Sequence, residues 1–193
     1  MSRRFLVLHG WENHRPPEHW QWHLVDALRA SGEQVLYPQL PSPDDPVLDD
    51  WLGAFRAEWL QMGDGERVVV THSLGGLLWL HAAHRGLVDP PADRVLLVAP
   101  PSPGVTAAIP AIAEFVAPVD PASVRSASRT AVRLVASDAD VYSTEGTAHA
   151  LYGEPLGLDG DVLSGAGHLT IEDGFGSWPA VLAWALDPAT RIA

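Results

Sequence analysis

The chain has 193 residues, with 24 acidic against 12 basic side chains and a formal net charge of −12. That length suits one domain with a full hydrophobic core, and the acidic balance, without any long Lys/Arg run, argues against nucleic acid as a partner. Cysteine is absent, which removes disulfides, thiolate metal sites and a Cys nucleophile.

The N-terminal stretch MSRRFLVLHGWE has an apolar run only from Phe5 to Leu8. A secretory h-region needs about 7–15 apolar residues. A membrane-spanning helix needs about 20. The expectation is a soluble cytoplasmic protein with no membrane partner. The first strand is predicted at Arg4–His9. A helix follows over Pro17–Ala30, where Trp20, Leu24, Ala27 and Leu28 recur at helical spacing before Ser31-Gly32 closes it. Strand Gln34–Tyr37 comes next, then a helix over Val47–Met62 with Leu48, Trp51, Leu52, Phe55 and Trp59 on one face. Strand Arg67–Thr71 leads into a helix at Leu74–Arg85 that stops at Gly86. Strands Arg94–Ala99, Ala131–Ala136 and Asp161–Ser164 follow, with helices expected near 143–152 and 177–186. The segment Pro100–Arg129 is interrupted by PPSPGV, IP, APVDP and PAS, so at most one short helix, AIAEFVA, is expected there. Proline-rich stretches at 37–46 and 100–104 read as rigid turns rather than linkers. Residues 1–193 are therefore expected to form a single α/β domain.

Alternation of strands and helices, with strands apolar along their length, implies a parallel sheet covered on both faces. Such sheets carry their sites at the carboxyl ends of the strands, so polar residues there come first. Thr71-His72-Ser73-Leu74-Gly75 stands where strand turns into helix, the context of a nucleophile elbow. The turn would lift the Ser73 hydroxyl out of the sheet and aim the Leu74 N–H at an oxyanion. Residues two before and two after the Ser come close together; Gly75 suits this and Thr71 is bulky for it. A Ser nucleophile needs a base, and His168 follows the final strand in SGAGHLT, between glycines that permit tight turns. An acid must orient the His. The strand ending at Ala136 runs into Ser137-Asp138-Ala139-Asp140, which offers Asp138 or Asp140 in the chain order Ser, Asp, His. His72 is expected to pack beneath the nucleophile. His14, His19 and His23 lack metal-ligand spacing and a supporting carboxylate pair, so neither metal nor cofactor is expected.

LVLHGW, VVVTHSLGG, VASDADVY and GAGH, in that order, resemble the α/β-hydrolase superfamily. More narrowly, with EHWQW near the N-terminus, they resemble the small lidless serine hydrolases related to human retinoblastoma-binding protein 9 and to the bacterial YdeN-type proteins. The resemblance spans nearly the whole chain. It implies a three-layer α/β/α sandwich whose six-stranded, mostly parallel sheet has the order 2-1-3-4-5-6, without a large cap. It favours Asp140, before Val141-Tyr142, as the acid, and leaves Asp138 to cap its own turn. His9-Gly10-Trp11 corresponds to the superfamily's His-Gly-x turn, which makes the Trp11 N–H the second oxyanion donor and places His9, Gly10 and Trp11 at the substrate. The implied activity is hydrolysis of a small ester; thioester or amide hydrolysis, or a binding module on a hydrolase scaffold, are the alternatives.

Overall fold

The computed structural model describes residues 2–130 and 132–192. Six strands form one sheet in the order β2-β1-β3-β4-β5-β6: β1 Arg3–Leu8, β2 Gln34–Leu36, β3 Glu66–His72, β4 Arg94–Val98, β5 Val132–Ser137 and β6 Asp159–Leu163. All five pairings are parallel. Each predicted strand is present with ends shifted by one or two residues; Ala131, predicted to open the fifth, lies outside the described residues. The register brings Leu8, His72, Val98, Ser137 and Leu163 to one edge of the sheet. All the connections that matter for function leave from there.

Successive side chains of a strand face opposite sides, and two cores result. Phe5, Val7, Val68, Val70, Leu96 and Val98 pack under α1 (Trp20–Ala30) and a C-terminal helix, Pro179–Leu186. Leu6, Leu8, Val69, Val95 and Leu97 pack under α2 (Leu48–Gln61) and α3 (Leu74–His84). Helix α3 is buried from Leu74 to Ala83, so its leucines and Trp79 cover the whole cylinder rather than one stripe. The outer strand β6 is the least apolar. Its buried Asp161 meets Arg133 of β5 at 3.0 Å, a pairing of charges that hydropathy cannot reveal.

The segment after β4 departs from expectation. It holds three short helical pieces: α4 (Pro103–Ala108), a 3₁₀ turn at Pro110–Phe115 and α5 (Pro121–Ala127). Each begins on one of the prolines read as interruptions. At the first helical position a proline's missing N–H costs nothing and its fixed φ suits the helix. Ser102 and Asp120 then cap α4 and α5. None of these pieces is long enough to make a large cap. The helix expected near 143–152 begins later, as a π turn at His149–Gly153 running into α6 (Glu154–Leu156); the C-terminal helix is α7. Among the described residues no helix is long and apolar enough to cross a membrane.

Candidate active site

Strand β3 ends at His72 and α3 begins at Leu74, so the single residue Ser73 makes the turn, at φ 52° and ψ −125°. A non-glycine residue there is strained, by about 1–3 kcal/mol, and holds only when its surroundings fix it. Ser73 N–H donates to Val98 O at 2.8 Å. Gly75 lies against the end of β1: a Cβ there would come within 2.7 Å of the Leu8 and His9 carbonyl oxygens. Thr71 fits because the close neighbour is Gly76 rather than Gly75. A Cβ on Gly76 would meet Thr71 Oγ1 at 3.3 Å, and that hydroxyl donates to Leu96 O at 3.2 Å.

Past the ends of β5 and β6 the chain brings Asp140 and His168 to this turn. His168 Nε2 lies 2.9 Å from Ser73 Oγ. Its Nδ1 lies 2.8 and 2.9 Å from the two oxygens of Asp140, a carboxylate that is almost wholly buried. A carboxylate only accepts, so Nδ1 carries the imidazole proton and Nε2 presents its lone pair to the serine hydroxyl. Asp140 also accepts from Tyr142 N–H at 2.9 Å, and the Tyr142 ring packs against His168, tilted by 52° with the centroids 4.5 Å apart. Asp138 sits apart. It accepts from Gly165 N–H at 2.7 Å and Ser164 Oγ at 2.9 Å, tying the β5 and β6 loops together, and these bonds lower its pKa.

A cleft of about 440 Å³ opens over Ser73, within the size range of small-molecule sites. Gly10, Trp11, Leu74, Pro101, Ile112 and Tyr142 are among its walls. Gly10 is pressed against the serine: a Cβ there would stand 2.8 Å from Ser73 Cβ. Trp11 is anchored by its indole N–H, which donates to Asp44 O at 3.1 Å.

His9 does not line this cleft, which corrects its expected contact with substrate. Its ring is fully buried and fully engaged. Nε2 accepts from Leu40 N–H at 2.9 Å and lies 3.0 Å from Gln39 Nε2, while Nδ1 donates to Gly10 O at 2.8 Å. Burial holds its pKa down to about 4. Tyr142 and Asp173 are neighbours of His168 that the sequence pattern does not single out. His72, expected beneath the serine, is buried there and also lines the cleft. Of the other N-terminal histidines, His19 caps α1 through Nδ1 and His14 pairs with Asp44, and both also line the cleft. No group of three or more potential metal ligands occurs among the described residues.

A parallel sheet of this order, with a strained serine between its central strand and a buried helix, defines the α/β-hydrolase fold. The family model described as serine hydrolase matches residues 5–185, and the chain belongs to that family: it is a serine hydrolase. Solved structures carry the same fold. The ydeN gene product of B. subtilis is 20% identical, with 96% of this chain and 97% of that one covered and a TM-score of 0.78. A putative YdeN-like hydrolase from Pectobacterium atrosepticum is 22% identical over 94% and 88% of the two chains, with a TM-score of 0.73. An esterase domain from a Rhodothermus marinus protein is 17% identical over 95% and 86%, with a TM-score of 0.67. A search of the curated proteins finds no match.

Proposed function

We propose that the chain hydrolyses carboxylic esters of small, soluble substrates through an acyl-enzyme on Ser73. The observation that carries this reading is the unbroken line Ser73 Oγ, His168 Nε2, His168 Nδ1, Asp140, with contacts of 2.9 and 2.8 Å. Ser73 Oγ attacks the carbonyl carbon while His168 Nε2 takes its proton. Asp140 holds the resulting imidazolium, and charge collects on the carbonyl oxygen. The Leu74 N–H, at the start of α3 where no intrahelical acceptor exists, receives that charge together with the Trp11 N–H. His9 supports the second donor. By holding Gly10 O on its own side it leaves the Trp11 N–H, opposite across the trans peptide, facing away from His9. Collapse of the tetrahedral intermediate expels the alcohol oxygen, which takes the proton from His168. Water, deprotonated by the same nitrogen, then releases the acid. Esterases are among the solved structures that share this fold, and so is a thioesterase domain; turnover of an ester against a thioester separates the two.

Labelling with a fluorophosphonate, alongside turnover of an aryl acetate, tests the reading. Wild type should be labelled stoichiometrically and Ser73→Ala not at all. An unlabelled wild type, or a Ser73→Ala variant with normal turnover, would sink the assignment.

A further inference from the structure

The His168 ring is held at both nitrogens, and its own backbone is held as well. Its N–H donates to Asp173 Oδ2 at 2.8 Å, an oxygen that also accepts from Thr170 N–H and Oγ1 at 3.2 and 3.0 Å. Its C=O lies 2.9 Å from His72 Nε2. A carbonyl only accepts, so His72 carries its proton on Nε2. His72 is the last residue of β3 and the one directly before Ser73. One side chain therefore connects the strand that presents the nucleophile to the loop that presents the base.

That loop needs outside support. Gly165, Gly167 and Leu169 all have positive φ, 66°, 60° and 59°, and Leu169 pays a steric penalty that the glycines escape. Gly167 has no room for a side chain, because a Cβ would collide with the Asp173 carboxylate. Leu169 is wholly buried, and its carbonyl accepts from Trp20 Nε1 at 3.1 Å. Asp173 and Trp20 fix the loop to its own surroundings. His72 alone among these fixes it to the nucleophile's strand.

We propose that His72 is a positioning residue that sets the distance between His168 Nε2 and Ser73 Oγ through its bond to the His168 carbonyl. This rests on the catalytic reading given above. The His72 ring is 5.1 Å from both the His19 and the His168 rings, and burial holds its pKa well below the ordinary histidine value. A neutral donor thus stands beneath the base over the working pH range. A displacement of about 1 Å at a reacting atom can cost about 100-fold in rate, so the bond should show in kcat.

The test compares His72→Phe, which keeps a ring without a donor, with His72→Gln, whose amide N–H reaches about as far as Nε2. Phe should lower kcat by about 10- to 100-fold with KM changed less than about twofold, and Gln should restore kcat to within about fivefold of wild type. If the Phe variant does not fold, His72→Met supplies the apolar isostere of Gln. The low-field proton signal of His168 Nδ1–H, read by NMR in the free protein, should broaden in Phe or Met and persist in Gln. That signal reports the clamp without turnover, so failure of Ser73 labelling in wild type would be distinguishable from failure of the clamp. Wild-type kcat in the Phe or Met variant, or a Gln variant as slow as Phe at equal melting temperature, would overturn the proposal.

Discussion

Replacing Asp140 by Asn separates the two candidate acids. Asp140 is buried, spans His168 Nδ1 with both oxygens and accepts from Tyr142 N–H. An asparagine of the same shape can turn its amide NH₂ toward Nδ1, which forces the imidazole proton onto Nε2. A protonated Nε2 cannot accept from Ser73 Oγ. Wrong-tautomer substitutions of this kind cost about 10⁴ in kcat in a comparable triad, or about 5.4 kcal/mol of barrier at 1.36 kcal/mol per decade. Asp138→Asn removes only the carboxylate that accepts from Gly165 N–H and Ser164 Oγ on the surface, and activity should stay within about threefold of wild type. Steady-state hydrolysis of an aryl acetate, with thermal melts to show that both variants are folded, reads the difference. The reverse ranking, or an Asp140→Asn enzyme within tenfold of wild type, would refute the tautomer reasoning.

Acid should destabilise the fold in a defined window. His9 and His19 stay neutral in the folded state down to about 4, burial being the main cause, against 6.5 as the ordinary value. The unfolded chain therefore binds more protons between those limits, so stability is complete above pH 6.5 and falls as pH drops toward 4, by about 1.4 kcal/mol per unit for each group at most. A melting temperature that stays flat from pH 7 to 4.5 would contradict this, and His9→Gln should flatten the slope. Gly75→Ala should destabilise by about 1–3 kcal/mol, since its Cβ meets fixed carbonyls of β1; Gly76→Ala should cost less, and denaturant midpoints will rank them. Among acyl groups, acetate and butyrate esters should give the highest kcat/KM, because the helical pieces after β4 are too short to enclose a longer chain, whose burial would contribute about 0.8 kcal/mol per methylene. A kcat/KM that keeps rising to long chains would reveal an apolar tunnel.

Much of the architecture could be read because the strands are short runs of β-branched and leucine residues between clear turns, and because Ser73, the Asp138/Asp140 pair and His168 each stand at a strand end. The residues alone leave the two aspartates open, since two turn carboxylates two residues apart look alike in a sequence, and only the resemblance favours Asp140; in the structure it is Asp140 that meets His168 Nδ1. β6 was the hardest strand to bound: its inward residue is Asp161, made tolerable by Arg133, and an ion pair leaves no hydrophobic signal. The prolines after β4 misled because the same residue that ends a helix also begins one, and only the caps at Ser102 and Asp120 decide which. The neighbours Gly10 and Trp11 point His9 toward the substrate in the sequence, but its burial is a tertiary fact, set by its bonds to Leu40 and Gln39.

The three groups at the centre of the site come from positions 73, 140 and 168, after β3, β5 and β6. No fragment of the chain that stops short of β6 holds all of them. Parallel pairings of this kind join residues distant in sequence and form late, and β6 is an edge strand in which only Asp161 is buried. It belongs to the part of the molecule expected to open first in partial unfolding, ahead of the central strands. Enzymatic turnover should then vanish on heating before circular dichroism registers loss of the sheet, and should return last on refolding, so that the rate of recovered activity times the docking of a single outer strand.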